Sequence, residues 1–232
     1  MAEADARWAA VSAPHGTAAL AHTHWLDGTP RAYAGAPGRW WTEGGRVRGD
    51  LGEGVTLAPF EQVPYDDLLL RAFARDDDRA LRVFDPANPA RTALRGIESF
   101  PGGEEWAVTG RFTPAPEGET RTVVSADGYE RAVPATGTIA LSVHGQDVTL
   151  VVAGDEDGLD AVISDATAAT GAYRFRFLPI EAPAADGTVV VDFRRAFLPP
   201  CAFSDEYVCP LPPPENRLPF AVEAGERRAL CD

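Results

Sequence analysis

Apolar and polar positions alternate most cleanly in the second half of the chain. Ile139, Leu141 and Val143 alternate with Ala140 and Ser142, His144 to Asp147 turn the chain, and Val148, Leu150 and Val152 return with the same period. A period of two turns one face of each strand toward a core, so this stretch predicts a β-hairpin. Tyr173, Phe175 and Phe177 alternate with Arg174 and Arg176, which predicts a strand with one aromatic and one cationic face. Thr188 to Phe193 reads as a Val-rich strand opened through Asp186-Gly187. Earlier, short apolar runs near Gly38 to Trp41, Gly45 to Arg48 and Val55 to Leu57 lie between glycine-rich turns, and Leu68 to Arg75 and Ala80 to Asp85 flank an all-Asp turn at 76–78. Helix signals gather at the start. Ala2 to Ser12 is rich in Ala and acidic residues, and Pro14 is suited to open a second helix reaching about His24. The predicted fold is mainly β, with antiparallel sheets in a sandwich or barrel-like arrangement and a short N-terminal helix. The proline-rich stretch Asp85 to Pro89 interrupts any ladder, because proline has no amide donor. It marks a joint between a helix plus small β subdomain over 1–95 and a C-terminal β domain over 96–232, unless the two are continuous.

Charge narrows the partners. Against 35 acidic residues stand 21 basic ones, all Arg, for a formal charge of −14. Such a surface repels a polyanion, so no nucleic-acid partner is expected. No window approaches the length of apolar sequence needed to cross a bilayer, and the acidic start lacks the basic and apolar regions of a signal peptide. The expectation is a soluble, cytoplasmic protein with no membrane partner, whose three cysteines stay reduced.

Cys201 and Cys209 lie eight positions apart across a proline-rich connection. The spacing is compatible with a disulfide, with a metal pair, or with two small buried thiols, and it is long for a zinc knuckle. His22 and His24 with His15 nearby offer a weak metal reading, since helical residues two apart do not share a face. Asp155 to Gly158 resembles the opening of a calcium loop, but its twelfth position is Ala166 where a Glu is needed. Gly49, Gly52 and Gly54 are spaced as the reverse of a dinucleotide fingerprint. No metal and no cofactor is expected.

A specific resemblance comes from the C-terminal run. Asp192-Phe193-Arg194-Arg195-Ala196-Phe197-Leu198-Pro199-Pro200-Cys201-Ala202-Phe203 is followed by Cys209-Pro210-Leu211-Pro212-Pro213-Pro214-Glu215-Asn216-Arg217-Leu218-Pro219 and by Ala224-Gly225-Glu226. This resembles the signature of the bacterial domain-of-unknown-function family 1684, which runs roughly DFNRAYNPPCA, CPLPPPENRLP and AGE. Asp85-Pro86, Pro89-Ala90-Arg91, Gly96, Phe100-Pro101 and Trp106 look like its middle segment, so the resemblance spans about Trp25 to Arg228. It implies a fold and no activity. Arg194, Phe197 and Leu198 depart from the family pattern, replacing two amides and a hydroxyl with a cation and apolar groups. The family's D-x-T-x-G-x-x-TY stretch is matched loosely by Asp165, Thr167, Gly171 and Tyr173.

Two functional classes follow. The first is a small-molecule-binding or structural β module without catalysis, whose candidate ligand-binding residues are Asp165, Thr167, Tyr173, Asp192, Arg195, Glu215 and Asn216. The alternative is a hydrolase- or lyase-type enzyme using Asp165, Asp192 and Glu215 as clustered carboxylates. The arrangement that separates them is whether these carboxylates converge or pair individually with Arg.

Overall fold

The computed structural model describes residues 2–232, and Ala2–Ser12 forms its first helix, α1. The second helix expected from Pro14 to His24 does not form. Thr17–Ala19 makes a single 3-10 turn and Leu20–Trp25 is a strand. Sheet pairing overrides the Ala-rich propensity here, since Leu20 and Ala19 are buried against Phe84.

The chain divides into two units. One holds the residues up to Leu94 with Phe203–Tyr207 and Cys231–Asp232; the other holds Arg95–Ala202 and Val208–Leu230. The first contains β1 (Leu20–Trp25), β2 (Arg31–Tyr33), β3 (Ala36–Glu43), β4 (Arg46–Asp50), β5 (Gly54–Leu57), β6 (Gln62–Tyr65), β7 (Leu68–Arg75) and β8 (Asp78–Phe84). They form two antiparallel sheets, in the orders β1-β8-β7-β6 and β2-β3-β4-β5. Trp40, Val47 and Leu57 from one sheet share a core with Leu70, Ala72, Leu81 and Val83 from the other, which makes a sandwich. Gly49 sits opposite Trp40 in the β3–β4 ladder, and a Cβ there would lie 2.5 Å from the indole. Close approach of the ring, not a phosphate, is what this glycine serves. A short helix, α2 (Pro89–Ala93), follows the sandwich where only an interruption was expected. Asn88 caps it by accepting from the Ala90 amide at 3.2 Å, and its own amide donates to the Leu20 carbonyl at 2.9 Å.

The second unit contains β9 (Leu94–Ser99), β10 (Ala107–Pro114), β11 (Thr120–Val124), β12 (Glu130–Pro134), β13 (Gly137–Val143), β14 (Gln146–Asp155), β15 (Gly158–Ile163), β16 (Arg176–Glu181), β17 (Thr188–Asp192) and β18 (Glu226–Cys231). Six strands in the order β16-β15-β14-β13-β10-β17 curl into a half-barrel whose end strands approach each other. The remaining strands make two ribbons, β11–β12 and β9–β18. The β13–β14 hairpin is the one expected, with Ile139 opposite Leu150 and Leu141 opposite Val148. Its turn is only His144-Gly145, with φ of +48° and +78°, the geometry that matches the twist of paired strands. Ile139, Val143, Leu150, Ile163, Leu178 and Val191 form the centre of the core.

The strand expected at 173–177 is displaced. β16 begins only at Arg176, and Arg176, Leu178 and Ile180 all point inward, so no cationic face exists. From Phe193 to Gly225 the chain has no regular strand, yet Phe193, Leu198, Phe203, Leu218 and Val222 are buried. Among the described residues no helix is long and apolar enough to cross a membrane.

The Trp40–Gly49 contact gives a direct test. Gly49→Ala drives a methyl into the indole and is expected to cost about 1–3 kcal/mol, whereas Gly54→Ala, with nothing within 4 Å of its Cβ, leaves the urea midpoint nearly unchanged. Denaturation followed by tryptophan fluorescence compares the two.

Candidate functional site

Asp165 caps the 3-10 turn Ala166–Thr170, and Gly171 ends that turn with φ of +89°. The Asp165 Oδ1 accepts from the amides of Thr167 at 2.9 Å and Val222 at 3.1 Å, while Oδ2 accepts from Arg176 Nη2 at 2.6 Å. Both side chains are almost fully buried, at 4% and 1% exposure. Arg176 also donates to the carbonyls of Val222 at 2.9 Å, Glu226 at 3.3 Å and Ala224. This pair therefore grips the C-terminal segment by its backbone. Phe100 packs beneath the guanidinium, 5.6 Å from its ring centre.

Asn216 performs a related task. β14 and β15 are laddered only from Ala153 to Asp155, and beyond that they splay apart. The Asn216 amide fills the gap: Oδ1 accepts from the Val151 amide at 2.7 Å, and Nδ2 donates to the carbonyls of Val151 and Val162 at 2.9 Å each. Its backbone continues the pairing, with its carbonyl accepting from Ser164 at 3.0 Å. All of its side-chain polarity serves two strands.

The carboxylates that the alternative reading would cluster are each paired separately. Asp192 caps the turn Phe193–Arg195 and holds Arg194 through two bonds of 2.8 Å, which keeps its pKa below the usual carboxylate value. Glu215 faces Arg121 at 3.8 Å. Arg195 pairs with Glu181 at 3.1 Å. Among the described residues no group of three or more His, Cys, Asp or Glu side chains is placed to hold a metal ion. His22 and His24 do stack side by side, at 5.2 Å, because their backbone is a strand; His24 Nε2 is bonded to the Ala34 carbonyl at 2.8 Å. The family departures have partners of their own: Phe197 packs edge-on to Phe177 at 5.7 Å and Leu198 is fully buried.

Two features stand apart from this backbone work. Thr167 is buried, yet its Oγ1 has no hydrogen-bond partner. Tyr173 donates its hydroxyl to the Cys201 carbonyl at 2.8 Å and lies 3.4 Å from the Cys201 sulfur. Cys201 and Cys209 are both buried and form no disulfide; Cys231 is exposed. The hydrogen bond from Cys209 pulls the Cys201 thiol down to about 6 against the opposing effect of burial, with further help from Tyr173 and the Arg174 guanidinium. Burial pushes the Tyr173 hydroxyl the other way, to a raised pKa. The sequence placed the two cysteines in one motif, but nothing in it linked them to Tyr173 and Arg174.

The profile of a family described as "Protein of unknown function (DUF1684)" matches residues 92–227, so the matched span begins well after Trp25. A solution NMR structure of an uncharacterized protein from Haloarcula marismortui is similar at 27% identity, covering 59% of this chain and 78% of that one with a TM-score of 0.48. No curated protein matches the chain.

Removing one member of the buried ion pair strands the other. Asp165→Ala is expected to destabilise the second unit by about 3–5 kcal/mol and to open a native-state proteolytic site between Leu218 and Glu226. Asp192→Ala, which loses a cap and a half-exposed pair, is expected to cost about 1 kcal/mol. Linkage gives a second check. A thiol whose folded pKa is lowered to about 6 from about 8.5 in the unfolded chain adds stability that is complete above the unfolded value. That stability is lost as pH falls through the folded value. The melting-temperature gap between the native protein and Cys201→Ser is expected to widen from pH 5.5 to pH 8.5, roughly the window between those two pKa values.

Proposed function

We propose a small-molecule-binding or structural role, without covalent chemistry at the signature carboxylates, for this chain, which belongs to the DUF1684 family of proteins of unknown function. One observation carries the reading: the polar residues of the signature are committed to their own backbone or to ion pairs. Asp165 and Asn216 hold main-chain groups, and Asp192 and Glu215 face Arg194 and Arg121. A general acid or base needs a position within reach of a substrate proton, and a carboxylate enclosed by two amides and a guanidinium offers none. A hydrolase or lyase built on these three groups would have to dismantle three separate structural contacts before acting.

The ligand we assign is a small molecule contacting Thr167. The Thr167 hydroxyl supports this, since a buried polar atom without a protein partner is rare and invites one from elsewhere. A bacterial cytoplasm is the setting we assign, and the formal charge of −14 supports leaving nucleic acid out of the partners.

Native mass spectrometry of protein purified without chelator tests the reading. The expected result is a non-covalent adduct on the native protein that Thr167→Val loses while its fold is kept. An adduct-free native protein leaves the structural half of the proposal standing. Turnover of a hydrolysable substrate that a folded Asp165→Asn variant abolishes would overturn the whole.

A further inference from the structure

We propose that Cys201 and Cys209 are a peroxide-reactive dithiol, in which Cys201 is the attacking sulfur and Cys209 resolves it to a disulfide. The geometry is a cluster assembled from separate parts of the second unit. Cys201 lies in the 3-10 turn Pro200–Ala202, with its carbonyl fixed by the Tyr173 hydroxyl at 2.8 Å. Cys209 is held by its flanking backbone, since its carbonyl accepts from the Ala126 amide at 2.8 Å and Leu211 donates to Val124 at 2.8 Å. The Tyr173 hydroxyl lies 3.4 Å from the Cys201 sulfur, and Cys209 is a hydrogen-bonding neighbour of that same sulfur, which gathers both thiols into one cluster.

The charged and titratable groups facing Cys201 are Cys209, Tyr173 and Arg174. A guanidinium beside a sulfur favours an anion and disfavours a bound cation, which argues for a thiolate over a metal ligand. The lowered Cys201 pKa, about 6, agrees with that placement. Burial selects the oxidant. Cys201 and Cys209 are 6% and 5% exposed, which hinders a bulky disulfide such as oxidised glutathione and favours an oxidant as small as hydrogen peroxide.

The steps balance. The Cys201 thiolate attacks one peroxide oxygen, an S–O bond forms as the O–O bond breaks, and the departing hydroxide takes a proton from solvent to leave as water. Cys209 then attacks the Cys201 sulfur of the resulting sulfenic acid. An S–S bond forms, the S–O bond breaks, and the second hydroxide leaves as water with the Cys209 proton. The dithiol is oxidised by two electrons and hydrogen peroxide is reduced to two waters.

The test uses the whole reduced protein and hydrogen peroxide, with exposed Cys231 as internal reference. Peptide mapping is expected to find a Cys201–Cys209 disulfide before Cys231 is oxidised. Cys209→Ser is expected to hold a sulfenic acid at Cys201 that a cyclic diketone traps, whereas Cys201→Ser yields no trapped Cys209. Tyr173→Phe, checked for an unchanged melt, is expected to slow Cys201 oxidation by about 3–10-fold through loss of thiolate stabilisation. Oxidation of Cys231 first, sulfenic acid at Cys209 in the Cys201→Ser variant, or faster closure by oxidised glutathione than by peroxide would each overturn the proposal.

Discussion

Arg176 lies on the inward face of β16 and meets the Asp165 carboxylate where both are almost fully buried. Moving two charges out of water costs several kcal/mol per ion, and their attraction alone seldom offsets that loss. Here the balance comes from the groups around them. The guanidinium also serves the carbonyls of Val222, Ala224 and Glu226, and the carboxylate also accepts the amides of Thr167 and Val222. Between Leu218 and Gly225 the chain has no strand, yet Val222 and Ala224 are buried with their carbonyls. Buried carbonyls need donors, and one guanidinium supplies them in place of a ladder. The course of the segment that leads into β18 depends on this arrangement.

Proline creates the same demand further up the chain. A segment rich in proline carries acceptors but few donors, so it cannot join a sheet by its own amides. Asn216 answers with a side-chain amide that bonds β14 and β15 at once, which adds to the few backbone bonds the proline-rich run makes. Asp192 does comparable work where β17 ends, taking the Arg194 amide at 3.0 Å to start the turn that carries the chain out of the sheet. The residues that make the signature recognisable are thus largely those that make an irregular backbone complete.

What the sequence disclosed follows from range. The β13–β14 hairpin was legible because strand period and turn lie within one short window and agree with each other. The strand at Leu20 was not, because its partner β8 is some sixty residues away and the local Ala content favours helix. Phe175 and Arg176 misled for a similar reason. Alternation suggested opposite faces, but the charge of Arg176 is neutralised by Asp165, eleven positions earlier, so the cation turns inward. Partner choice among the ion pairs was equally hidden. Arg194 rather than Arg195 reaches Asp192 because the cap folds its own third residue back, and Glu215 meets Arg121 from a strand that the sequence places far away.

The thiols depend on that same architecture while taking no part in it. Their surroundings are nevertheless set by the irregular backbone: Tyr173 is held near Cys201 through a main-chain carbonyl, and Cys209 is held by the bonds that flank it. A bond between them would staple a stretch that no regular ladder supports. For a loop of this length, chain-entropy arithmetic gives about 2–3 kcal/mol, comparable to what a buried cap or amide contributes elsewhere in the unit. Oxidation would then add rigidity where the backbone is least paired, and reduction would return that stretch to the hydrogen bonds of Asp192 and Asn216 on either side. A dithiol between two such anchors changes the firmness of the segment without altering the sheet beneath it.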